Sequence, residues 1–212
     1  FPCWFFDVNN DGFQDIFVSG YDLDHLRDVA KDYSSEIQNI ITTTEKPRLY
    51  INNGDETFTE SAKQYGISKS LYAMGANFGD IDNDGFLDFY VGTGAPDFST
   101  IIPNRMFKNI QGKRFEEITS AGNFGHIQKG HGIAFADIDR DGDQDIYSVM
   151  GGAYQGDTFT NILYENPISK NNWIVIELLG TLMNTSAIGA VIEVKLNNNK
   201  VLFRTVSTGG SF

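Results

Sequence analysis

One acidic motif occurs three times along this chain of 212 residues, and its spacing limits the folds that the chain can adopt. The copies occupy residues 5–15, 78–88 and 135–145, and each contains the pattern Asp-x-Asp/Asn-x-Asp-Gly-x-x-Asp. The second and third copies begin at positions 78 and 135, which are 57 residues apart. A second marker, an asparagine two positions after an aromatic residue, keeps this interval at Asn52, Asn109 and Asn166. Because unlike markers share one period, the sequence contains a true internal repeat.

The first repeat is longer than the others, because its motif begins 73 positions before the second, at residue 5 rather than 21. The 16 additional residues fall within an insert at about 21–47. Apolar side chains recur there at steps of three or four, which predicts an amphipathic helix packed on the rim of the scaffold. These apolar residues are Leu23, Leu26, Val29, Tyr33, Ile37 and Ile40.

The rest of each repeat is typical of short strands separated by turns. In the first repeat, apolar and aromatic runs lie at 4–6, 16–18 and 49–51, and the turn signal Asn53-Gly54 precedes a further strand around Phe58. Four short strands in just over 50 residues, repeated along the chain, predict an all-β protein made of β-propeller blades. A solenoid is a less favoured alternative.

Charge and cysteine content narrow the possible partners and stabilisers. The formal net charge is −12, so nucleic acids and anionic membranes, which attract Lys and Arg clusters, are excluded as expected partners. No apolar run approaches the ~20 residues of a membrane span. With a single cysteine, Cys3, no intrachain disulfide can form. Bound metal is therefore the expected stabiliser of a secreted chain of this kind.

The three aspartate motifs have the ligand chemistry of calcium, which takes six to eight hard oxygen ligands. Alternate side chains of each loop point inward, and the glycine permits the sharp turn that closes the cage. We call residues 7–15 loop one, 80–88 loop two and 137–145 loop three. The predicted side-chain ligands are Asp7, Asn9, Asp11 and Asp15; Asp80, Asp82, Asp84 and Asp88; and Asp137, Asp139, Asp141 and Asp145. The predicted backbone carbonyl ligands are those of Phe13, Phe86 and Asp143.

The loops differ from an EF-hand. An EF-hand places a bidentate Glu at its twelfth position, whereas that position holds Val18, Val91 and Ser148 here. Three or four carboxylates in one loop repel one another without a cation. We therefore expect about three Ca²⁺ ions, which would take the net charge from −12 to about −6.

Together with the Leu-Tyr-x-Asn marker and the phenylalanine that follows it, these loops resemble FG-GAP/VCBS repeats, the blades of integrin-α-type propellers. One further stretch is similar to the ASPIC/UnbV module of secreted proteins of the cartilage acidic protein type: residues 172–180, Asn184 and residues 187–194, followed by Arg204-Thr205-Val206 and Gly209-Gly210. The resemblance implies three blades in residues 1–168, an incomplete propeller, and a partial ASPIC/UnbV β module in residues 169–212. Independently, the alternating pattern of residues 173–206 predicts strands.

Closed propellers have about 4–8 blades, so three blades imply that the remaining blades belong to the same parent protein or to another chain. We accordingly expect the chain to be a processed protein or a fragment. The expected location is extracellular, at the cell surface or periplasmic, where calcium is abundant. The expected role is a scaffold for adhesion or for recognition of an extracellular protein or glycan, since loops on rigid scaffolds commonly carry recognition.

An enzyme is the alternative from another functional class, namely a calcium-stabilised propeller lyase or hydrolase acting on polysaccharide. Its candidate catalytic residues are His126, Lys129 and His131. No nucleophile elbow, zinc motif or phosphate-binding loop accompanies them. We therefore expect no catalytic site. Asp157 is expected to be an ordinary loop charge.

Overall fold

The computed structural model describes residues 2–20, 29–167, 171–181 and 184–208. Within these ranges the chain forms thirteen β-strands and one α-helix. In chain order they are β1 (Cys3–Phe6), β2 (Asp15–Val18), α1 (Val29–Ile37), β3 (Arg48–Asn52), β4 (Phe58–Glu60), β5 (Ala73–Gly79), β6 (Asp88–Thr93), β7 (Arg105–Asn109), β8 (Phe115–Glu117), β9 (Gly130–Ala136), β10 (Asp145–Met150), β11 (Ile162–Tyr164), β12 (Val191–Lys195) and β13 (Val201–Thr205).

The sheets follow the repeat. Strands β1–β4 form blade one and β5–β8 form blade two, each a four-stranded antiparallel meander in which sequential strands pair. Blade three has the three strands β9–β11. The predicted all-β class with propeller-like blades is confirmed, and the described sheets do not close into a barrel. Each aspartate loop connects the first two strands of its blade, so all three loops lie at the same end of the sheets.

Aromatic side chains hold blade one against blade two. Trp4 stacks on Phe17 with ring centroids 4.3 Å apart, and Phe17 meets Phe89 of the next blade at 5.2 Å. Phe89 in turn stacks on Phe107 at 4.7 Å. All four rings are buried in the largest apolar cluster of the protein. Because full burial of each such side chain contributes about 1.5–3 kcal/mol, this row of rings is a major determinant of how the blades stack.

Blade two meets blade three through a second cluster, in which Tyr90 and Met106 pack against Ile133 and Ile146. Near it the two backbones approach so closely that a Cβ added at Gly92 would lie 2.6 Å from the carbonyl of Gly130. Glycine is therefore required for this contact, because any side chain would force the blades apart.

Part of the insert, residues Val29–Ile37, forms a helix, as predicted. Val29 is buried beside Tyr72 and Ile102, with Tyr33 packed against them. Leu23 and Leu26 lie outside the described residues, whereas Ile37 and Ile40 are exposed. The predicted burial of Ile37 and Ile40 is wrong, because the helix ends at Ile37 and only its first two turns pack on the apolar cluster. Its other contacts are polar: Glu36 pairs with Arg105 of β7 at 2.5 Å, and Asp32 accepts hydrogen bonds from the Thr44 and Tyr72 hydroxyls.

Beyond blade three the chain forms the hairpin β12–β13. The predicted alternation of half-buried and exposed residues is observed in β12, whereas every residue of β13 is half-buried. The strand expected at 173–180 does not form: this segment pairs with no other strand among the described residues, and several of its apolar side chains are exposed. A strand needs a partner for its backbone groups, and hydrophobic alternation alone does not supply one.

The helix found here is too short and too polar to cross a membrane, and the described residues contain no other candidate for such a span.

Candidate metal centre

The three aspartate loops adopt the same backbone conformation. A left-handed residue occupies the fourth position in each, with φ between 53° and 65°, and the glycine two positions later has φ between 91° and 95°. The left-handed residues are Asn10, Asn83 and Arg140, and the glycines are Gly12, Gly85 and Gly142. Glycine is preferred at its position because an L side chain is strained at such a φ. The repeat therefore extends from sequence to loop geometry.

The first aspartate of each loop organises the turn. In loop one, the Asp7 carboxylate accepts hydrogen bonds from the backbone amides of Asp11 and Gly12, at 3.0 and 2.8 Å. The equivalent bonds form from Asp84 and Gly85 to Asp80 and from Asp141 and Gly142 to Asp137. These bonds fold each loop back on itself.

The last aspartate of each loop joins the loop to the sheet. One carboxylate oxygen of Asp88 accepts the Ile81 amide at 2.9 Å, and the other accepts the Asn109 amide of β7 at 2.7 Å. Asp15 and Asp145 make the same pair of bonds. The predicted ninth-position ligand is thus held by the strands and is buried in all three copies, at no more than 1 % exposure.

The asparagine marker has a structural role that the sequence did not reveal. The Asn109 side chain donates to the carbonyl of Val8, in the loop of the preceding blade, at 2.8 Å. Asn166 donates in the same way to Ile81 at 2.6 Å. In addition, Asn10 donates to the Gly85 carbonyl and Asn83 to that of Gly142. Successive loops are therefore linked into one row by side-chain amides.

Loops two and three bring acidic oxygens together at metal-binding distances. Oxygens of Asp80, Asp82 and Asp88 lie within 4.8 Å of one another, as do those of Asp137, Asp139 and Asp141. In loop one the second ligand position is an amide, Asn9.

Two buried oxygens at equivalent positions of loops one and two show that the ligand set suits a cation. The Asn9 Oδ1 atom of loop one and the Asp82 Oδ1 atom of loop two are buried and have no hydrogen-bond partner in the described structure. A buried oxygen without a donor costs free energy of about 1–3 kcal/mol. A hard cation such as Ca²⁺ in each loop would coordinate the unpartnered oxygen of that loop, so the donor set fits calcium.

Basic side chains surround loop two, and sequence reasoning missed them. The Lys108 ammonium group pairs with Asp82 at 2.5 Å, and the Arg204 guanidinium with Asp80 at 3.0 Å. Lys200 donates to the Asp84 carbonyl at 2.7 Å. Arg204 and Lys200 belong to the β12–β13 hairpin, which also reaches loop one through a bond from the Phe203 amide to Asn10. The hairpin thus lies across the first two loops.

Burial perturbs several of these carboxylates. Loss of hydration raises the pKa of Asp15 to about 6, opposed by hydrogen bonds from the Asn52 and Val8 amides. It likewise raises the pKa of Asp80 to about 6, although nearby Arg204 acts in the opposite direction. Burial also raises the pKa of Asp88 well above its usual range. The ionised forms of these buried carboxylates in loops one and two are therefore unfavourable without a compensating cation.

We predict that calcium binding releases protons near pH 6. Asp15 and Asp80, with pKa values of about 6, are about half protonated at that pH, whereas the metal binds only the carboxylate form. Calcium affinity should fall as the pH drops from 8 to 5. Titration calorimetry at pH 6 in two buffers of different ionisation enthalpy measures the released protons. A binding enthalpy that is the same in both buffers would contradict the prediction, and pH 8 provides the control.

The candidate catalytic residues have structural partners. Lys129 is fully buried and pairs with Asp157, itself only 6 % exposed. The His131 Nε2 atom lies 2.5 Å from the Gly151 carbonyl oxygen, and the His126 ring packs on Phe159. The expectation that Asp157 is an ordinary loop charge is therefore wrong: it is half of a buried ion pair that holds the 151–158 loop against blade three.

Comparison with known proteins gives one match that agrees with this geometry. The family model of the FG-GAP-like repeat matches residues 7–91, which contain loops one and two and strands β2 to β5. Repeats of this type are typically extracellular. A search of curated proteins finds no significant match.

Proposed function

We propose that this protein is a calcium-binding, extracellular β-propeller scaffold whose role is recognition of, or adhesion to, a protein or glycan. The observation that carries the calcium assignment is the pair of buried, unpartnered oxygens at equivalent positions, Asn9 Oδ1 and Asp82 Oδ1. The grouped carboxylates of loops two and three and the match to the FG-GAP-like repeat support it. About three ions, one in each loop, are proposed.

The ligand set favours calcium over other divalent cations. All proposed ligands are oxygens, whereas zinc prefers nitrogen and sulfur donors. Magnesium demands octahedral geometry and keeps several of its waters. In each loop the first and last carboxylates are fixed by backbone amides, as for Asp80 and Asp88. A larger ion with a flexible shell suits such a loop best.

Binding, and not catalysis, is the proposed activity. In support, the histidine and lysine candidates are engaged in structural contacts: Lys129 is buried against Asp157 and His131 contacts the Gly151 carbonyl. We also propose that residues 169–212 form part of an ASPIC/UnbV module and that the protein is located at the cell surface or in the periplasm. Further blades would complete the propeller.

Titration calorimetry of the calcium-stripped protein tests the assignment. We expect calcium to bind at about three sites, with magnesium weaker and zinc no tighter, because the ligands are all oxygens. Zinc binding as tight as calcium would refute the assignment.

A matched pair of variants locates one of these sites. Asp139→Ala removes an oxygen ligand from loop three, and Glu116→Ala removes an equal charge from an exposed residue of β8. Asp139→Ala should remove or weaken one calcium site of three, since each ligand oxygen contributes directly to coordination. Glu116→Ala should leave all three unchanged. Equal calcium stoichiometry and affinity in the two variants would show that loop three is not a metal site.

A further inference from the structure

Basic side chains pair with the carboxylates of loop two. The Lys108 Nζ atom lies 2.5 Å from Oδ2 of Asp82, and a guanidinium nitrogen of Arg204 lies 3.0 Å from Oδ2 of Asp80. The other Asp82 oxygen, Oδ1, is buried and has no hydrogen-bond partner in the described structure. Lys108 therefore satisfies one oxygen of this carboxylate and leaves the second for a cation.

Loop one provides an internal comparison. In the part of the chain that the structure describes, its carboxylates accept hydrogen bonds from backbone amides and from the Asn9 side chain, and from no basic side chain. Its three aspartates keep three formal negative charges. Loop two has four aspartates, and the three basic side chains of Lys108, Lys200 and Arg204 offset all but one of their charges. The two loops therefore differ in the net charge that attracts a cation.

The β12–β13 hairpin, which supplies Lys200 and Arg204, packs closely on loop two. A Cβ added at Gly85 would lie 2.6 Å from the Cδ2 atom of Leu202. The Lys200 Nζ atom lies 4.3 Å from the centroid of the Phe86 ring. Because the hairpin and the loop are in direct contact and the hairpin is basic, a change in the charge of the loop acts directly on the hairpin.

We propose that Lys108 and Arg204 are internal counter-ions of loop two, which lower its calcium affinity below that of loop one, and that calcium in loop two loosens the hairpin. The first part follows from Coulomb's law, because the basic groups repel the entering ion and already neutralise the carboxylates that attract it. The inference rests on the proposed calcium function and adds an order of filling, in which loop two follows loop one.

The second part follows from thermodynamic linkage. If the docked hairpin lowers the affinity of loop two for calcium, calcium must weaken the docking of the hairpin by the same factor. The hairpin also contacts loop one, where the Phe203 amide donates to the Asn10 side chain at 2.7 Å without a charged group. Calcium in loop two should therefore loosen the hairpin at Arg204, while its contact with loop one is retained.

Calcium titration of Arg204→Met and of Lys108→Met tests the first part. Each variant should raise the affinity of one calcium site by about tenfold, since one positive charge close to the ion is removed. Arg114→Met is the matched control, because it removes an equal charge from a side chain that is 56 % exposed, and it should change no site. Arg204→Met in the Asp82→Ala protein should also have no effect, which assigns the affected site to loop two.

The outcomes separate this inference from the calcium assignment. A wild-type protein that binds no calcium contradicts the proposed function, and this inference with it. If the wild type binds calcium at about three sites, and Arg204→Met and Lys108→Met leave every affinity unchanged or lower one, the counter-ion role alone is wrong. Lys108 lies on β7, outside the hairpin, so its variant decides the question even if Arg204→Met does not fold.

Amide hydrogen exchange measures the response of the hairpin. Exchange in residues 191–205 should be several-fold faster in millimolar calcium than in EGTA. Exchange in blade two should instead be slower or unchanged, because a ligand of the folded state stabilises the fold as a whole. Asp82→Ala, which removes a ligand of loop two, should abolish most of the increase in the hairpin. Hairpin amides that calcium protects in the wild type would overturn the proposed loosening.

Discussion

Asp157→Ala is expected to destabilise the protein by about 3–5 kcal/mol, because it leaves a buried charge without its partner. Lys129 is completely buried, and Asp157 supplies the carboxylate with which it pairs. The other contacts of Lys129 are weak: its ammonium nitrogen lies 3.4 Å from the Pro96 carbonyl oxygen and 5.4 Å from the centroid of the Phe98 ring. Neither contact replaces a carboxylate.

Denaturant unfolding of the calcium-loaded protein measures this effect, and two comparisons make it specific. Glu116→Ala removes an equal charge from an exposed pair whose ions lie 3.8 Å apart, and should change the free energy of unfolding by less than about 1 kcal/mol. The double variant Lys129→Met, Asp157→Leu removes both charges and should recover most of the lost stability. If Asp157→Ala behaves like Glu116→Ala, the buried pair does not form in solution.

The strands and the aspartate loops could be predicted from the sequence because their signals are local. The alternation around Phe17 and Phe89, the Asn53-Gly54 turn and the glycine of each loop report backbone conformation within a few residues. The threefold repetition of the aspartate loops then strengthened their signal. For the same reason the blade class was predicted correctly.

The long-range contacts around the aspartate loops left no local signal in the sequence. Arg204 meets Asp80 across 124 positions, and Asn109 meets Val8 across 101, so no spacing in the sequence relates them. Asp157 is buried beside Lys129, which lies 28 positions earlier in the chain, so the segment around Asp157 gives no sign of its burial. The helix prediction failed at Ile37 and Ile40 because the helix ends at Ile37, so its apolar face is short. The carboxylates of Asp32 and Glu36 supply its other contacts with the blades.

Removal of calcium should lower the thermal midpoint markedly. A ligand that binds only the folded state adds RT ln(1 + [L]/Kd) to the free energy of unfolding. With Kd values of roughly 10⁻⁴–10⁻³ M, typical of extracellular modules, each site adds about 0.4–1.4 kcal/mol at millimolar calcium. Three sites would add roughly 1–4 kcal/mol, a substantial part of a typical stability of about 5–15 kcal/mol.

The metal-free protein would in addition retain its buried carboxylates: Asp15 and Asp80, with pKa values near 6, are ionised at pH 8, and the Arg204 guanidinium beside Asp80 offsets only part of their charge. Melting curves at pH 8 in EGTA and in millimolar calcium, at matched ionic strength, should therefore differ by about 3–15 °C. Magnesium in place of calcium is the control, and should recover little of the difference. A midpoint that does not respond to calcium would mean that the loops hold their shape through the amide hydrogen bonds to Asp7, Asp80 and Asp137 alone, and the extracellular assignment would lose its physical basis.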